Sequence, residues 1–274
     1  MSAEAGGESF TDYIQHHLAF WNAPLPHTGG MEIHVDTMIM SVVVGFLFLA
    51  CFWWFARKAT SGVPSKGQAF VELAVEFVDG QVKDAWHGSR EFLGPLALTI
   101  FFWILFMSLL DVIPVDFIPA AAEATGVKHF RAVPTADVYN TFAMSLSVFV
   151  LTIFFGLKAK GVGGYFKGLV SAPFTAGNVV MKIILAPMNL LMAVIEMVTQ
   201  PVSLALRLFG NIFAGELLFM LIAGLLTHFL SLWFPLGILG YAVWSIFELL
   251  IIVIQAFIFM YLAVTYIAMA QEHH

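Results

Sequence analysis

Pro201-Val-Ser-Leu-Ala-Leu-Arg-Leu-Phe-Gly-Asn211 places one arginine, Arg207, deep inside a nearly continuous apolar stretch that runs from about Asn178 to Leu226. A helix needs about 20 apolar residues to cross a hydrocarbon core ~30 Å thick, and this stretch is roughly twice that length. At about 1.5 Å of rise per residue, Asn189 to Leu226 would extend on the order of 55 Å as one helix. Such a helix must tilt strongly, kink or break, and Pro187 and Pro201 lie within it. After a short region without Lys or Arg, Thr227 to Pro235, a second overlong apolar run spans Leu236 to Ala270. The pair predicts a strongly tilted helical hairpin over 178–270.

The rest of the chain fits the same solvent. Of 274 residues, 60% are hydrophobic and 11% charged, with a mean hydropathy of +0.90, which excludes an ordinary soluble domain. Met38 to Ala56 is an uncharged run closed by Arg57-Lys58, and this basic pair marks its end as cytoplasmic. Residues 1–37 hold no Lys or Arg, lack the basic start of a cleaved signal peptide, and read as an external segment. Residues 60–90 mix Glu72, Glu76, Asp79 and Lys83 with Phe70, Leu73, Ala74, Phe77 and Val78 at helical spacing, which predicts an amphipathic helix on the cytoplasmic surface. Residues 93–157 supply a second span (Leu93 to Leu110), an acidic external loop, and a third span (Val138 to Leu157). Lys158, Lys160 and Lys167, among glycines, return the chain to the cytoplasm. The expected fold is an all-α polytopic membrane protein with five crossings, N-terminus outside and C-terminus cytoplasmic.

Polar groups at membrane depth carry the functional signal. An intramembrane arginine costs from ~3 to more than 10 kcal/mol and cannot shed its proton, so a carboxylate has to face Arg207. Glu196 is eleven residues earlier, about 1100° of turn, and shares the face of Arg207 at a distance of ~16 Å along the axis. Glu216 is nine residues later and lies on about the opposite face. Neither can pair with Arg207 inside one helix, which leaves Glu248 from the last helix as an internal partner or a carboxylate on another chain. Glu248 and Gln255 are seven apart and share a stripe with Ser245 and Tyr241, readable either as interhelical packing or as a wet path. Asn211 follows Arg207 by one turn, and Gly210 with Ala214 sets small residues four apart, permitting close approach of a neighbouring helix. Asp111 and Asp116 lie at the outer end of the second span, as solvated loop acids or as a channel mouth. The single cysteine, Cys51, falls within the first span and reads as a small buried residue. His16, His17, His27, His34, His129 and His228 have no ligand spacing, and neither a phosphate loop nor a dinucleotide fingerprint is present. No metal, cofactor or catalytic residue is expected, and no nucleic acid partner.

Pro201-Val-Ser-Leu-Ala-Leu-Arg-Leu-Phe-Gly-Asn-Ile-Phe-Ala-Gly-Glu216 resembles the signature of subunit a of the F-type ATP synthases. The resemblance continues through Gln255-Ala-Phe-Ile-Phe-Met, the closing Tyr-Ile-Ala-Met-Ala-Gln-Glu-His, and the earlier Lys58-Ala-Thr-Ser-Gly-Val-Pro64, Pro95-Leu-Ala-Leu-Thr-Ile100 and Val133-Pro-Thr-Ala-Asp137. It implies a non-catalytic stator in the bacterial inner membrane, surrounded by lipid. Its partners would be a ring of c subunits, the b-subunit peripheral stalk and the remaining synthase subunits. It also implies two offset proton half-channels, with Arg207 matching the essential arginine. Asn211, Glu216, Glu248 and Gln255 match positions on the outer half-channel, Asp111 and Asp116 match acids near its mouth, and Glu196 and Ser203 fall towards the inner one. One departure is that many members carry a glutamate where this chain has Ala193, one turn before Glu196. The alternative from another class is an autonomous ion-coupled secondary transporter in which Arg207 binds an anionic substrate, and it predicts solute uptake by the purified chain alone.

Overall fold

The structure is a computed structural model that describes residues 22–24, 32–88, 91–113, 133–174, 177–228 and 234–271. Five helices are long and apolar enough to cross a membrane. In chain order the helices are α1 (Val35–Arg57), α2 (Lys66–Ala85), α3 (Leu93–Leu109), α4 (Val138–Ser171), α5 (Val179–His228) and α6 (Phe234–Gln271). Ahead of α1, β1 (Asn22–Pro24) pairs antiparallel with β2 (Glu32–His34), a ribbon that no periodicity in the sequence announces.

The helix ends follow from local chemistry. Ser65 caps α2 by accepting from the Gln68 backbone N–H at 3.3 Å, and the Gln68 side chain bonds Thr60 and Glu72. α3 tightens into a single 3₁₀ turn, Leu110–Val112, which carries Asp111. α4 runs past Leu157, where the sequence ended the third span, and through Lys158, Lys160 and Lys167, because only Gly161 leaves helical geometry there, at φ 69° and ψ 163°. Positive φ paired with so extended a ψ is essentially confined to glycine, and the helix folds at that point. The fold brings the Tyr165 ring to within 3.0 Å of where a Cβ on Gly156 would stand. α5 continues through both Pro187 and Pro201, and at 50 residues it far exceeds one crossing.

The chain divides into two compact units, and α5 and α6 contribute to both. The first unit comprises Met1–Arg57, Phe102–Asn140 and Phe209–Ala256. Its core contains Phe48, Phe52 and Phe102, with the Phe48 and Phe102 rings stacked at 5.9 Å. Trp103 donates its indole N–H to the Ser41 carbonyl at 3.0 Å, and Gly45 leaves room for that ring against α1. The second unit comprises Lys58–Phe101, Thr141–Leu208 and Phe257–His274. Here α2 buries Ala74, Val78 and Val82, one turn apart each time, and Phe77 meets Phe101 and Phe257 at about 6 Å.

Candidate functional site

In the second unit, α5 carries Asn189, Ala193, Glu196, Gln200, Ser203 and Arg207 at alternating steps of four and three residues. That spacing puts them on one helical face, and the eighteen residues from Asn189 to Arg207 make about five full turns. Ala193, Glu196, Gln200 and Ser203 line a cavity of about 700 Å³, together with Lys160 and Tyr165 from α4 and Tyr266 from α6. Gln200 donates to Glu196 Oε1 at 3.0 Å, holding the carboxylate along the helix surface. Because Ala193 and Glu196 line the same cavity, a carboxylate on either one would serve the same space. Arg207 is exposed at the end of this face and makes no ion pair among the described residues.

The first unit arranges its polar groups in the opposite manner. Asn211 donates to Gln255 Oε1 at 2.9 Å, so the residue one turn past Arg207 and the stripe on α6 meet directly. Glu216 is 3% exposed and Glu248 0%. Neither carboxylate oxygen of Glu248 has a hydrogen-bond partner among the described residues, and the same holds for the buried Trp244 Nε1 one turn earlier. A Cβ on Gly215 would stand 2.5 Å from Glu248 Oε1, so the bare Cα leaves space for this carboxylate where it stands, and any side chain there would make the flexible end of Glu248 shift. Ser245 donates to the Tyr241 carbonyl of its own helix at 2.8 Å. Asp111 is buried beside the end of α3, and Asp116 lies outside the described residues.

Gly210 and Ala214 are exposed, and a Cβ on Gly210 would meet no atom within 4 Å. The small residues therefore leave a shallow surface, uncovered by the described residues, on the helix that carries Arg207 and Asn211.

At the start of α1, His34 Nδ1 and Asp137 Oδ2 lie 2.8 Å apart. Asp137 Oδ1 also accepts the Tyr139 backbone N–H at 3.0 Å, which caps α4, and the His34 ring meets the Tyr139 ring edge-on at 5.0 Å. Spacing along the chain gives no hint of this tie, since its partners are 103 residues apart. Sequence reasoning also passed over Asn189, Gln200, Gly215 and Trp244. Of these, Asn189 and Gln200 were within reach of the same face count that aligned Glu196 with Arg207.

Among the described residues, no group of three or more His, Cys, Asp or Glu side chains could hold a metal ion. Cys51 is exposed on α1, which corrects the reading of it as a small buried residue; α1 is apolar enough to cross a membrane, so an exposed apolar side chain on it has lipid available as its solvent.

A family model described as ATP synthase A chain matches residues 38–268. The chain is similar to ATP synthase subunit a of Chromobacterium violaceum, at 48% identity over 273 residues covering 96% of this chain and 98% of that protein. It is also similar to ATP synthase subunit a of Coxiella burnetii, at 48% identity over 268 residues with 96% of each chain covered. ATP synthase subunit a 1 of Photobacterium profundum is 47% identical over 271 residues, covering 98% of both.

Proposed function

We propose the following working role for this chain, which belongs to the ATP synthase A chain family and is a non-catalytic, multi-pass membrane subunit of that complex: it supplies two offset proton half-channels to a ring of c subunits and couples proton flow to rotation through Arg207. The observation that carries this reading is the isolated arginine. Arg207 is exposed, has no ion-pair partner among the described residues, and stands on a helix long enough to cross a bilayer. A cation in lipid without a counter-charge is costly, so its partner belongs to a neighbouring chain. A ring carboxylate that gains and loses a proton meets this need.

In this reading the N-terminus faces outside and the C-terminus the cytoplasm. Protons pass from outside by Asp111 and Asp116, reach Glu216, Glu248, Asn211 and Gln255, and load a ring carboxylate. After travelling round with the ring they leave through the cavity lined by Glu196 and Ser203. Attraction between Arg207 and a deprotonated ring carboxylate is strong in a low-dielectric setting, and the same fixed positive charge repels a proton from the direct route between the two half-channels. Each proton that crosses gains ~2.3 kcal/mol per 100 mV of membrane potential, which drives rotation. The peripheral stalk formed by subunit b holds this chain against the torque, α2 lies along the cytoplasmic surface, and the α5–α6 hairpin is inclined beside the ring.

The test is Arg207→Ala in the full complex in native membranes. Proton-driven ATP synthesis falls to background while passive proton leak rises. Coupling that survives unchanged would return Arg207 to a structural role and remove the basis of this reading.

A further inference from the structure

Asn189 is the one residue of the Arg207 face of α5 that is completely committed to other backbone. It is 1% exposed, and its side chain makes three hydrogen bonds. Nδ2 donates to the Val170 carbonyl at 2.9 Å and to the Phe174 carbonyl at 3.0 Å, while Oδ1 accepts the Phe174 N–H at 3.0 Å. An amide offers two donors and an acceptor on one rigid plane, and here all three functions are engaged.

The carbonyls and the N–H it binds belong to the segment that follows the fold at Gly161. That segment supplies Tyr165, Gly168, Leu169, Ala172 and Pro173 to one wall of the 700 Å³ cavity. Another wall is α5 itself, beginning at Met192, about one turn beyond Asn189. The two walls are thus tied to each other through the Asn189 side chain. Without the tie, the backbone groups of 170 and 174 lose these partners, and the distance of the segment from α5 beyond the kink at Gly161 is no longer set by them.

We propose that Asn189 is a positioning residue of the proton exit: it holds the segment 162–174 off the Glu196–Ser203 face of α5 and so keeps this cavity open to water. The assignment rests on the reading of the cavity as a half-channel, and its test separates the two.

The experiment uses the complete synthase complex in inverted membrane vesicles, with Cys51→Ser as the background and Ser203→Cys as a reporter inside the cavity. The probe is a membrane-impermeant, positively charged methanethiosulfonate. Val63→Cys, on a turn that is 96% exposed, reports insertion and reagent access in parallel complexes. Asn189→Asp is nearly isosteric, but it replaces the two donations to carbonyl oxygens by repulsion. Asn189→Ser keeps one donor and one acceptor on a shorter stem and is the milder change. The expected result is a labelling rate at Ser203→Cys about tenfold lower in Asn189→Asp, an intermediate rate in Asn189→Ser, and an unchanged rate at Val63→Cys. Passive proton conduction after removal of the catalytic head falls in step with the labelling rate. An unchanged rate at Ser203→Cys, an equal fall at both reporters, or failure of even Asn189→Ser to assemble would overturn the assignment. If labelled Ser203→Cys conducts protons as fast as unlabelled while Asn189 is intact, the half-channel reading fails instead, whatever the Asn189 variants do.

Discussion

The two units of this molecule treat their carboxylates in contrary ways. In the first, Glu216, Glu248 and Asp111 are sealed from solvent, and Glu248 sits in space made by the absence of a side chain on Gly215. In the second, Glu196 is exposed on the wall of a broad cavity and is held only by Gln200 one turn away. A sealed carboxylate depends on each neighbour around it, because desolvation and geometry decide whether it can hold or pass a proton. A carboxylate on an open wall acts mainly through its field, and water can replace it. On the proposed reading, one half of the proton path is built for control and the other for access, and the two should respond differently to mutation.

The largest contrast is expected between Glu248→Ala and Glu196→Ala. If the proposed path runs through Glu248, removing this sealed carboxylate interrupts it, and passive proton conduction falls by about a hundredfold. Removing the exposed one lowers local proton concentration at the cavity and costs about threefold, an effect that shrinks further in high salt. Equal losses at the two sites would erase the distinction between the units. Next comes Gly215→Ala, in which the added methyl must displace the Glu248 carboxylate, since no rotation of a Cβ can avoid an atom 2.5 Å away. Conduction falls by about tenfold while the complex still assembles. A Gly215→Ala complex with native conduction would mean that Glu248 moves freely and is not positioned by α5.

Much of this was open to the sequence for a physical reason. The thickness of a bilayer sets how long an apolar run must be, so five crossings and the overlong α5 and α6 follow from counting. The alignment of Glu196 with Arg207 likewise follows from 3.6 residues per turn, and α5 stays helical between them. What the counting missed depends on elements far apart in the chain. The tightness at Gly215 exists because α6 returns with Glu248 opposite it, whereas a Cβ on Gly210, which looks like the better packing glycine, would meet nothing among the described residues within 4 Å. The extension of α4 through Lys158, Lys160 and Lys167 was hidden because charge and the glycines at 161, 163 and 164 ended the apolar run at Leu157, while only Gly161 leaves the helix. Asn189 resembles any polar residue near a helix start until the chain at 170–174 folds back to it.

The smallest expected effect tests how the first unit is held shut. His34 and Asp137 join the starts of α1 and α4, with Asp137 3% exposed and His34 12% at the side chain. His34→Ala leaves Asp137 Oδ2 without this partner while Oδ1 still caps α4 through the Tyr139 N–H. Loss of one partner of a nearly buried pair costs about 1–3 kcal/mol, and partial exposure of the histidine places this case near the lower end. A local cost of that size should lower the temperature at which the complex loses coupled ATP synthesis by a few degrees. The rate at 25 °C should stay within about twofold of native, because neither side chain is assigned to the proton path. His34→Asn, which keeps a donor near Asp137, should recover part of the loss. If His34→Ala instead abolished conduction at 25 °C with no change in heat inactivation, the His34–Asp137 pair would belong to the proton path and not to its frame. The sealed unit would then begin at its outermost tie, before Asp111.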